Sequence, residues 1–219
     1  MNQQERSRRT REQVLDAAAQ EFARHGYADA AVQTVAAHTG MTKGALYGHF
    51  PSKEKLAAAL VAAGSQHWTR LLRDAERPGT PPVAALRTLT VGLAHALRED
   101  TRLRAAFRLA NDELLAGTGA GGLLHEVRQA VVAGVRRGQA EGTVTSAYCA
   151  EVIAQLLVSV ILGAQSAAAS ALTREDPFEP WLDRGWELVH SMLGGGREGR
   201  MPSASPNPLS VKSPDLGDG

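Results

Sequence analysis

The chain has 219 residues, of which 43% are apolar, so it is long enough for one or two domains with a sizeable core. It contains no run of eighteen apolar residues and opens on no basic-then-apolar leader, so we predict neither a membrane span nor a signal peptide. A single cysteine, Cys149, excludes an internal disulfide framework and is typical of a cytoplasmic protein. The net charge is only +1, but Arg6, Arg8, Arg9 and Arg11 make the N-terminus locally basic, either as an arm for an anionic partner or as a solvated, frayed end.

Helical periodicity dominates the chain, and alternating strand patterns are absent. The first predicted helix ends at Gly26, and a short second helix covers about 32–39. A turn at 40–42 separates it from a third helix over about 43–49, which Pro51 ends. Ser52 then offers an N-cap for a long fourth helix.

Further helices are predicted beyond a proline-rich boundary at 78–82. Apolar repeats predict helices over 86–97, 103–114 and 124–142, with a glycine-rich break at 117–122. Residues 146–171 are almost wholly apolar, and Glu151, Gln155 and Ser159 mark a narrow polar edge typical of a bundle helix. A last helix covers 177–193, and the Gly-, Pro- and Ser-rich tail over 194–219 is typical of disorder.

The second and third helices have the dimensions of a helix-turn-helix, which places its second helix in the major groove of DNA. Gly40 can take the left-handed conformation of the turn, Met41 packs behind it, and Thr42 caps the third helix. A helix of about seven residues spans about 10 Å, so a groove roughly 12 Å wide accepts it end-on.

Side-chain chemistry assigns roles within this element. Gly44 and Ala45 are small enough to let the third helix sit deep, and Lys43 can reach a guanine edge or a phosphate. Lys53, in the first turn of the fourth helix, adds a phosphate contact beside free backbone N–H groups. The predicted DNA-binding residues are Gln33, Thr42, Lys43, Gly44, Ala45, Tyr47, His49 and Lys53.

The segment TVAAHTGMTKGALYGHFPSKEKL resembles the N-terminal domain of TetR-family transcriptional regulators. The matching motifs are Val35-Ala36, Gly40-Met41-Thr42, Leu46-Tyr47-Gly48-His49-Phe50 and Ser52-Lys53-Glu54-Lys55-Leu56. The resemblance covers residues 10–60. Family members usually open helix two with Thr or Ser, whereas this chain has Ala30 and Ala31 there and Asp29 as the only nearby cap, which implies one phosphate contact fewer.

The resemblance implies an all-α protein that acts as a homodimer on a double-stranded, palindromic operator, with half-sites about 34–36 Å apart or somewhat more. It implies a helix-turn-helix domain over 1–55, an effector-binding and dimerisation domain over 56–193 and a tail over 194–219. The last two long helices would form the dimer bundle. The function implied is that of a repressor that leaves its operator when a small molecule binds the body.

Within the family, Lys43-Gly44-Ala45-Leu46-Tyr47 and AFRLANDE (106–113) are similar to receptors of γ-butyrolactone signals that control antibiotic production in streptomycetes. Many such receptors carry a ligand-contacting Trp soon after the second segment, and none occurs between Asn111 and Val135. A divergent or pseudo-receptor that responds to other molecules, such as antibiotics, is therefore an alternative.

Large side chains of the middle helices are the candidates for the effector pocket, and plain core is the alternative for each of them. They are Trp68, Leu89, Leu93, Phe107, Leu109, Asn111 and Gln155. The rival functions are a helical enzyme or ligand carrier without operator binding, and an activator or architectural protein.

Other signals favour no further chemistry. The G-x-G-x-x-G at 117–122 lacks the preceding strand that a dinucleotide site needs. The seven histidines include no i,i+4 pair and no nearby cysteine, and Cys149 in an apolar helix is typical of a small hydrophobe. We therefore expect no cofactor, no metal site and no enzymatic activity.

Overall fold

The computed structural model describes residues 3–115, 122–169 and 178–194, and all regular secondary structure in these ranges is helical. This confirms the predicted all-α class. The helices are α1 (Gln3–Asp29), α2 (Val32–His38), α3 (Lys43–His49), α4 (Lys53–Ala75), α5 (Pro82–Arg87), a π-helical turn (Thr88–Gly92), α6 (Leu93–Glu99), α7 (Thr101–Leu115), α8 (Leu123–Ala140), α9 (Ala150–Ala169) and α10 (Phe178–Leu193).

Helix α1 is the rear support of the N-terminal domain. Val14, Leu15, Ala18 and Phe22 recur at helical spacing and are buried, so one stripe of α1 packs against α2, α4 and α7. Regular helix geometry breaks at Gly26, whose φ of 72° confirms the predicted end of the straight helix. One further turn to Asp29 leads the chain into α2.

Helix α4 contributes to both hydrophobic cores of the molecule. Its N-terminal half inserts Leu56 and Leu60 into the core of the first three helices, whereas Trp68 and Ala75 lie in the core of the body. The change of core thus falls between Leu60 and Trp68. A single rigid helix therefore joins the helix-turn-helix to the body.

The segment predicted as one helix over 86–97 is interrupted by the π-helical turn between α5 and α6. Inside this turn the hydroxyl of buried Thr90 donates to the carbonyl of Leu86, 2.8 Å away. The leucine repeat survives, because Leu86, Leu89, Leu93 and Leu97 are all buried.

Helix α9 begins four residues later than predicted, because residues 143–149 form turns that are tied to other elements. The backbone N–H of Thr145 donates to the carbonyl of Leu193, and the Gln139 side chain donates to the carbonyls of Thr145 and Tyr148. The prediction that Cys149 is a helix-core residue is therefore wrong: it is exposed, immediately before α9.

The glycine-rich stretch at 117–121 and the tail from 195 lie outside the described residues. None of the helices in the described ranges combines the length and the hydropathy that crossing a bilayer would require.

Candidate nucleic-acid interface

The turn between α2 and α3 has the geometry that the sequence predicts. Gly40 has a φ of 67°, and a Cβ placed there would meet nothing within 4 Å, so the backbone conformation alone favours glycine. The N–H of Met41 donates to the carbonyl of Ala36 at 3.0 Å, and half-buried Met41 packs against the N-terminal core. The turn is thereby closed and anchored from behind.

Side-chain caps set the first residues of α3 and α4. The Thr42 hydroxyl accepts a hydrogen bond from the N–H of Ala45 at 3.2 Å, and the Ser52 hydroxyl accepts one from Lys55 at 3.3 Å. Both predicted caps are confirmed. They satisfy N–H groups that a helix start otherwise leaves without partners.

Helix α3 is buried on one side and open on the other. Leu46 and Phe50 are 1% and 2% exposed and dock the helix on the core. Lys43, Gly44 and Ala45 are exposed, and a Cβ added to Gly44 would meet nothing within 4 Å. Among the described residues, none therefore crowds the open side at Gly44.

The polar side chains of α3 lie at the edge between these two sides. Tyr47 is half-buried and packs on the core, and the Lys43 ammonium lies 5.8 Å from the centre of its ring. This cation–π contact pairs exposed Lys43 with the Tyr47 ring. His49 is half-buried at the last turn of α3.

Lys53, a predicted phosphate contact, is engaged with the end of α1. Its ammonium donates to the carbonyl of Ala28 at 3.1 Å and lies 4.9 Å from the ring centre of Tyr27. A phosphate at this point would therefore share the ammonium with Ala28.

The expected cap of α2 is corrected by the structure. Ala31 is the N-cap and offers no side-chain bond, and Asp29 does not take that role. Instead the carboxylate of Glu21, which is only 7% exposed, accepts the N–H of Ala31 at 2.9 Å. A buried residue of α1 therefore fixes the entry to α2, while Gln33 stays exposed on it.

The basic N-terminal residues belong to α1, which is helical from Gln3. The Arg11 guanidinium lies 4.5 Å from the ring centre of Phe50, the residue that ends α3. Arg6, Arg8 and Arg9 are exposed on the same helix. The structure therefore places the cation of Arg11 at the end of α3, and the other three arginines lie exposed further toward the N-terminus of α1.

Polar contacts join this interface to the body through α1 and α7. The Arg102 guanidinium donates to the carboxylates of Glu12 and Asp16, both at 2.6 Å, and these bonds, chiefly that to Asp16, raise the pKa of Arg102. Asp112 accepts the N–H of Tyr27 at 2.8 Å. Sequence reasoning did not find these pairs, which join residues 85 to 90 positions apart.

Residues 14–60 match the family model described as bacterial regulatory proteins of the tetR family. The match spans the packed α1, the turn at Gly40 and the capped α3 and α4. This segment is therefore a TetR-family N-terminal domain. The matching proteins are described as a receptor and as transcriptional regulators, which agrees with the expectation that this chain is not an enzyme.

Similar curated proteins include a receptor and transcriptional regulators. The A-factor receptor protein of Streptomyces griseus is 34% identical over 120 residues, which are 53% of this chain and 40% of the receptor. The HTH-type transcriptional regulator TtgR of Pseudomonas putida is 31% identical over 46% of this chain and 48% of its own. The chain thus spans less than half the length of these curated relatives.

Solved TetR-family structures extend the likeness to the body. CprB from Streptomyces coelicolor, in complex with its biological operator sequence, has a TM-score of 0.70 and 28% identity over 86% of this chain and 90% of its own. A γ-butyrolactone receptor described as ArpA-like has a TM-score of 0.69 and 26% identity over the same shares.

The predicted effector residues are only partly brought together. Trp68, Leu89, Leu93 and Phe107 are each at most 1% exposed and share the core of the body. The other three lie apart from this group: Leu109 belongs to the N-terminal core, Asn111 is half-buried and Gln155 is exposed on α9.

Two clefts were not visible from the sequence. One of about 830 Å³ lies between the end of α1, the first half of α4, and α7, with Tyr27 and Leu109 among its lining residues. The other, of about 260 Å³, is apolar and lies between the π-helical turn, α9 and α10. In the described ranges no group of three or more His, Cys, Asp or Glu side chains is placed to hold a metal ion.

Proposed function

We propose that the protein is a homodimeric, cytoplasmic transcriptional regulator that binds a palindromic DNA operator through α3 and is released by a small effector. The observation that carries the proposal is α3 itself, which Leu46 and Phe50 anchor while Lys43, Gly44 and Ala45 stay exposed. A neighbour of 28% identity whose structure contains its operator supports the same use of this surface.

Several residues around α3 support a DNA surface. The exposed Gly44 leaves room for a base edge, and the Lys43 ammonium lies 5.8 Å from the Tyr47 ring centre on the same helix. Arg11 of α1 adds a cation beside Phe50. We keep the full predicted set, from Gln33 on α2 to Lys53 on α4, as the proposed contacts.

The exposed faces of α9 and α10 support dimerisation. Val152, Leu156 and Val160 follow each other at four-residue spacing on α9 and are 38–57% exposed, and Leu188 and Met192 repeat this on α10. Such an apolar stripe along two adjacent helices indicates a protein partner. Two copies related by a two-fold axis would bury the stripes in a four-helix interface and present two α3 helices to one duplex.

The effector site is proposed within the body, among Trp68, Leu89, Leu93 and Phe107. They share the body core with α4, to which Trp68 itself belongs, so a molecule that separates them would also move α4. Since α4 carries the helix-turn-helix, such a movement changes the spacing of the two α3 helices. The butyrolactone-receptor neighbours support a lactone-like or antibiotic effector.

Footprinting on the promoter of the protein's own gene tests operator binding. We expect protection of a palindrome, and relief of protection by an extract of the producing culture if the protein is a ligand-released repressor. Lys43→Ala with Tyr47→Ala should abolish binding while the dimer persists, and Arg70→Ala, which removes an exposed cation of α4, should bind normally. Wild-type binding by the double variant would refute the proposal, and a saturable ligand without any protected palindrome would favour the carrier or enzyme.

Salt dependence distinguishes the two roles open to Lys43. A phosphate contact contributes about 0.9 to the slope of log K against log salt. If Lys43 contacts a phosphate, Lys43→Ala should lower the slope by about 1 and weaken all sequences alike. If Lys43 contacts a guanine, Lys43→Ala should relax the preference for one base pair. Arg70→Ala should change neither the salt slope nor the base preference.

A further inference from the structure

We propose a second small-molecule site, in the cleft between α1, α4 and α7, that takes an organic cation with an apolar body. The cleft encloses about 830 Å³, which falls within the roughly 300–1,000 Å³ typical of ligand sites. It is separate from the body core proposed for the effector and shares only Leu109 with the residues predicted for that role.

The floor of the cleft is apolar and lined by short side chains. Ala57, Ala58, Val61 and Ala62 come from two successive turns of α4, and Leu109 faces them from α7. The alanines leave the width that larger side chains would fill. An apolar ring system can therefore lie along α4 with its surface removed from water.

The rim of the cleft carries an excess of carboxylates. Asp29, Glu54 and Asp112 line it, against one guanidinium, that of Arg108. The Arg108 Nε lies 3.5 Å from a carboxylate oxygen of Asp112, so these two groups offset each other. Lys53 lies just beyond the rim.

The remaining carboxylates give the cleft its preference for a cation. Asp29 is exposed, and Glu54 accepts a hydrogen bond from the Tyr27 hydroxyl, with 2.9 Å between the two oxygens. The ammonium of Lys53 offsets part of this charge, but it already bonds the carbonyl of Ala28 and lies over the Tyr27 ring. His25 stands 4.0 Å from Glu21 at the same edge. A cationic ligand is thus favoured, whereas an anionic one would meet two carboxylates.

The position of the cleft also predicts an effect on DNA binding. Tyr27 joins the three elements, since its N–H donates to Asp112 of α7 and its hydroxyl to Glu54 of α4. A ligand seated beside these bonds changes how α1 and α4 are held on α7. This consequence rests on the proposed function, whereas binding itself does not.

Three probes with one ring system test the site on the full chain without DNA: 1-naphthylmethylamine, 1-naphthalenemethanol and 1-naphthoic acid. At pH 7 the first is a cation, the second is neutral and the third is an anion. We expect saturable binding of the amine by calorimetry, with a Kd at least tenfold lower than that of the acid. The alcohol should fall between them.

Variants place the binding in the cleft. Ala58→Leu with Ala62→Leu fills the floor and should raise the Kd of the amine at least tenfold, whereas Ala133→Leu, at an exposed position of α8, should leave it unchanged. Asp29→Asn should weaken the amine several-fold and leave the alcohol unaffected. Circular dichroism and thermal melting confirm that each variant is folded.

Two results would overturn the site: equal affinity for amine and acid, or a double-leucine variant that binds the amine as the wild type does. Operator binding is measured separately, with and without the amine. Loss of operator binding with retained amine binding would refute the proposed function and leave the site standing. Retained operator binding with no binding of the amine would refute the site and leave the proposed function standing.

Discussion

Gly64 lies where α4 packs directly against Ala106 of α7, and Gly64→Ala tests how tightly these helices are packed. A Cβ at this position would lie 2.4 Å from the Cβ of Ala106 and 3.2 Å from a methyl of Leu123. Ordinary contact of a Cβ with another atom begins at 3.4 Å, so the two helices would have to separate by about 1.0 Å. Gly64 is therefore required by packing.

The two opposing effects of the substitution can be compared. Extra volume in a packed core costs typically about 1–3 kcal/mol. Replacing glycine by alanine inside a helix returns up to about 1 kcal/mol. We expect Gly64→Ala to lower the free energy of unfolding by about 1–2 kcal/mol.

Urea unfolding at one fixed protein concentration measures this change, because the stability of the proposed dimer would depend on concentration. Gly44→Ala is the matched control, since a Cβ there meets nothing within 4 Å and should be neutral or stabilising. Ala106→Gly removes the opposing methyl. The double variant should therefore lose less free energy of unfolding than the two single variants lose together, by about 1 kcal/mol or more.

Two outcomes would contradict this account of the α4–α7 contact. One is a Gly64→Ala protein as stable as the wild type. The other is strict additivity with Ala106→Gly, which would mean that the two positions do not press on each other.

Three further predictions concern the interface and its support. Thr42→Ala removes the cap of α3 and should cost about 1 kcal/mol in urea unfolding, with a weaker operator complex in gel shifts; Thr42→Ser should retain both. Gly26→Ala puts a side chain on a residue with a φ of 72° and places its Cβ 2.7 Å from an Asp112 oxygen. The urea concentration at the unfolding midpoint should therefore fall, and an unchanged midpoint would contradict the contact. The pKa of Glu54 is lowered from 4.5, chiefly by its hydrogen bond with the Ser52 hydroxyl. The ionised carboxylate therefore stabilises the fold at neutral pH, and this contribution is lost as the pH falls through the lowered pKa. The Glu54→Gln protein should accordingly lose less stability than the wild type between pH 7 and 3.

The local elements of the helix-turn-helix could be predicted from the sequence, because their causes lie within a few residues of each other. Thr42 caps α3 through a residue three positions on, Ser52 does the same for α4, and Gly40 turns the chain by its own backbone freedom. The apolar spacing that buries Leu46 and Phe50 depends on the helical period alone. The candidate DNA surface could therefore be predicted from the sequence alone.

Tertiary structure decided the features whose partners are distant in the chain. Glu21 supplies the bond at the start of α2 that Asp29 was expected to supply, and Leu193 takes a bond from Thr145 in the loop that leaves Cys149 exposed. The pairing of α1 with α7 and the cleft beside them depend on contacts between residues more than 80 positions apart. Periodicity shows that a helix has an apolar face, but it does not show which helix that face meets, since any apolar surface can bury another.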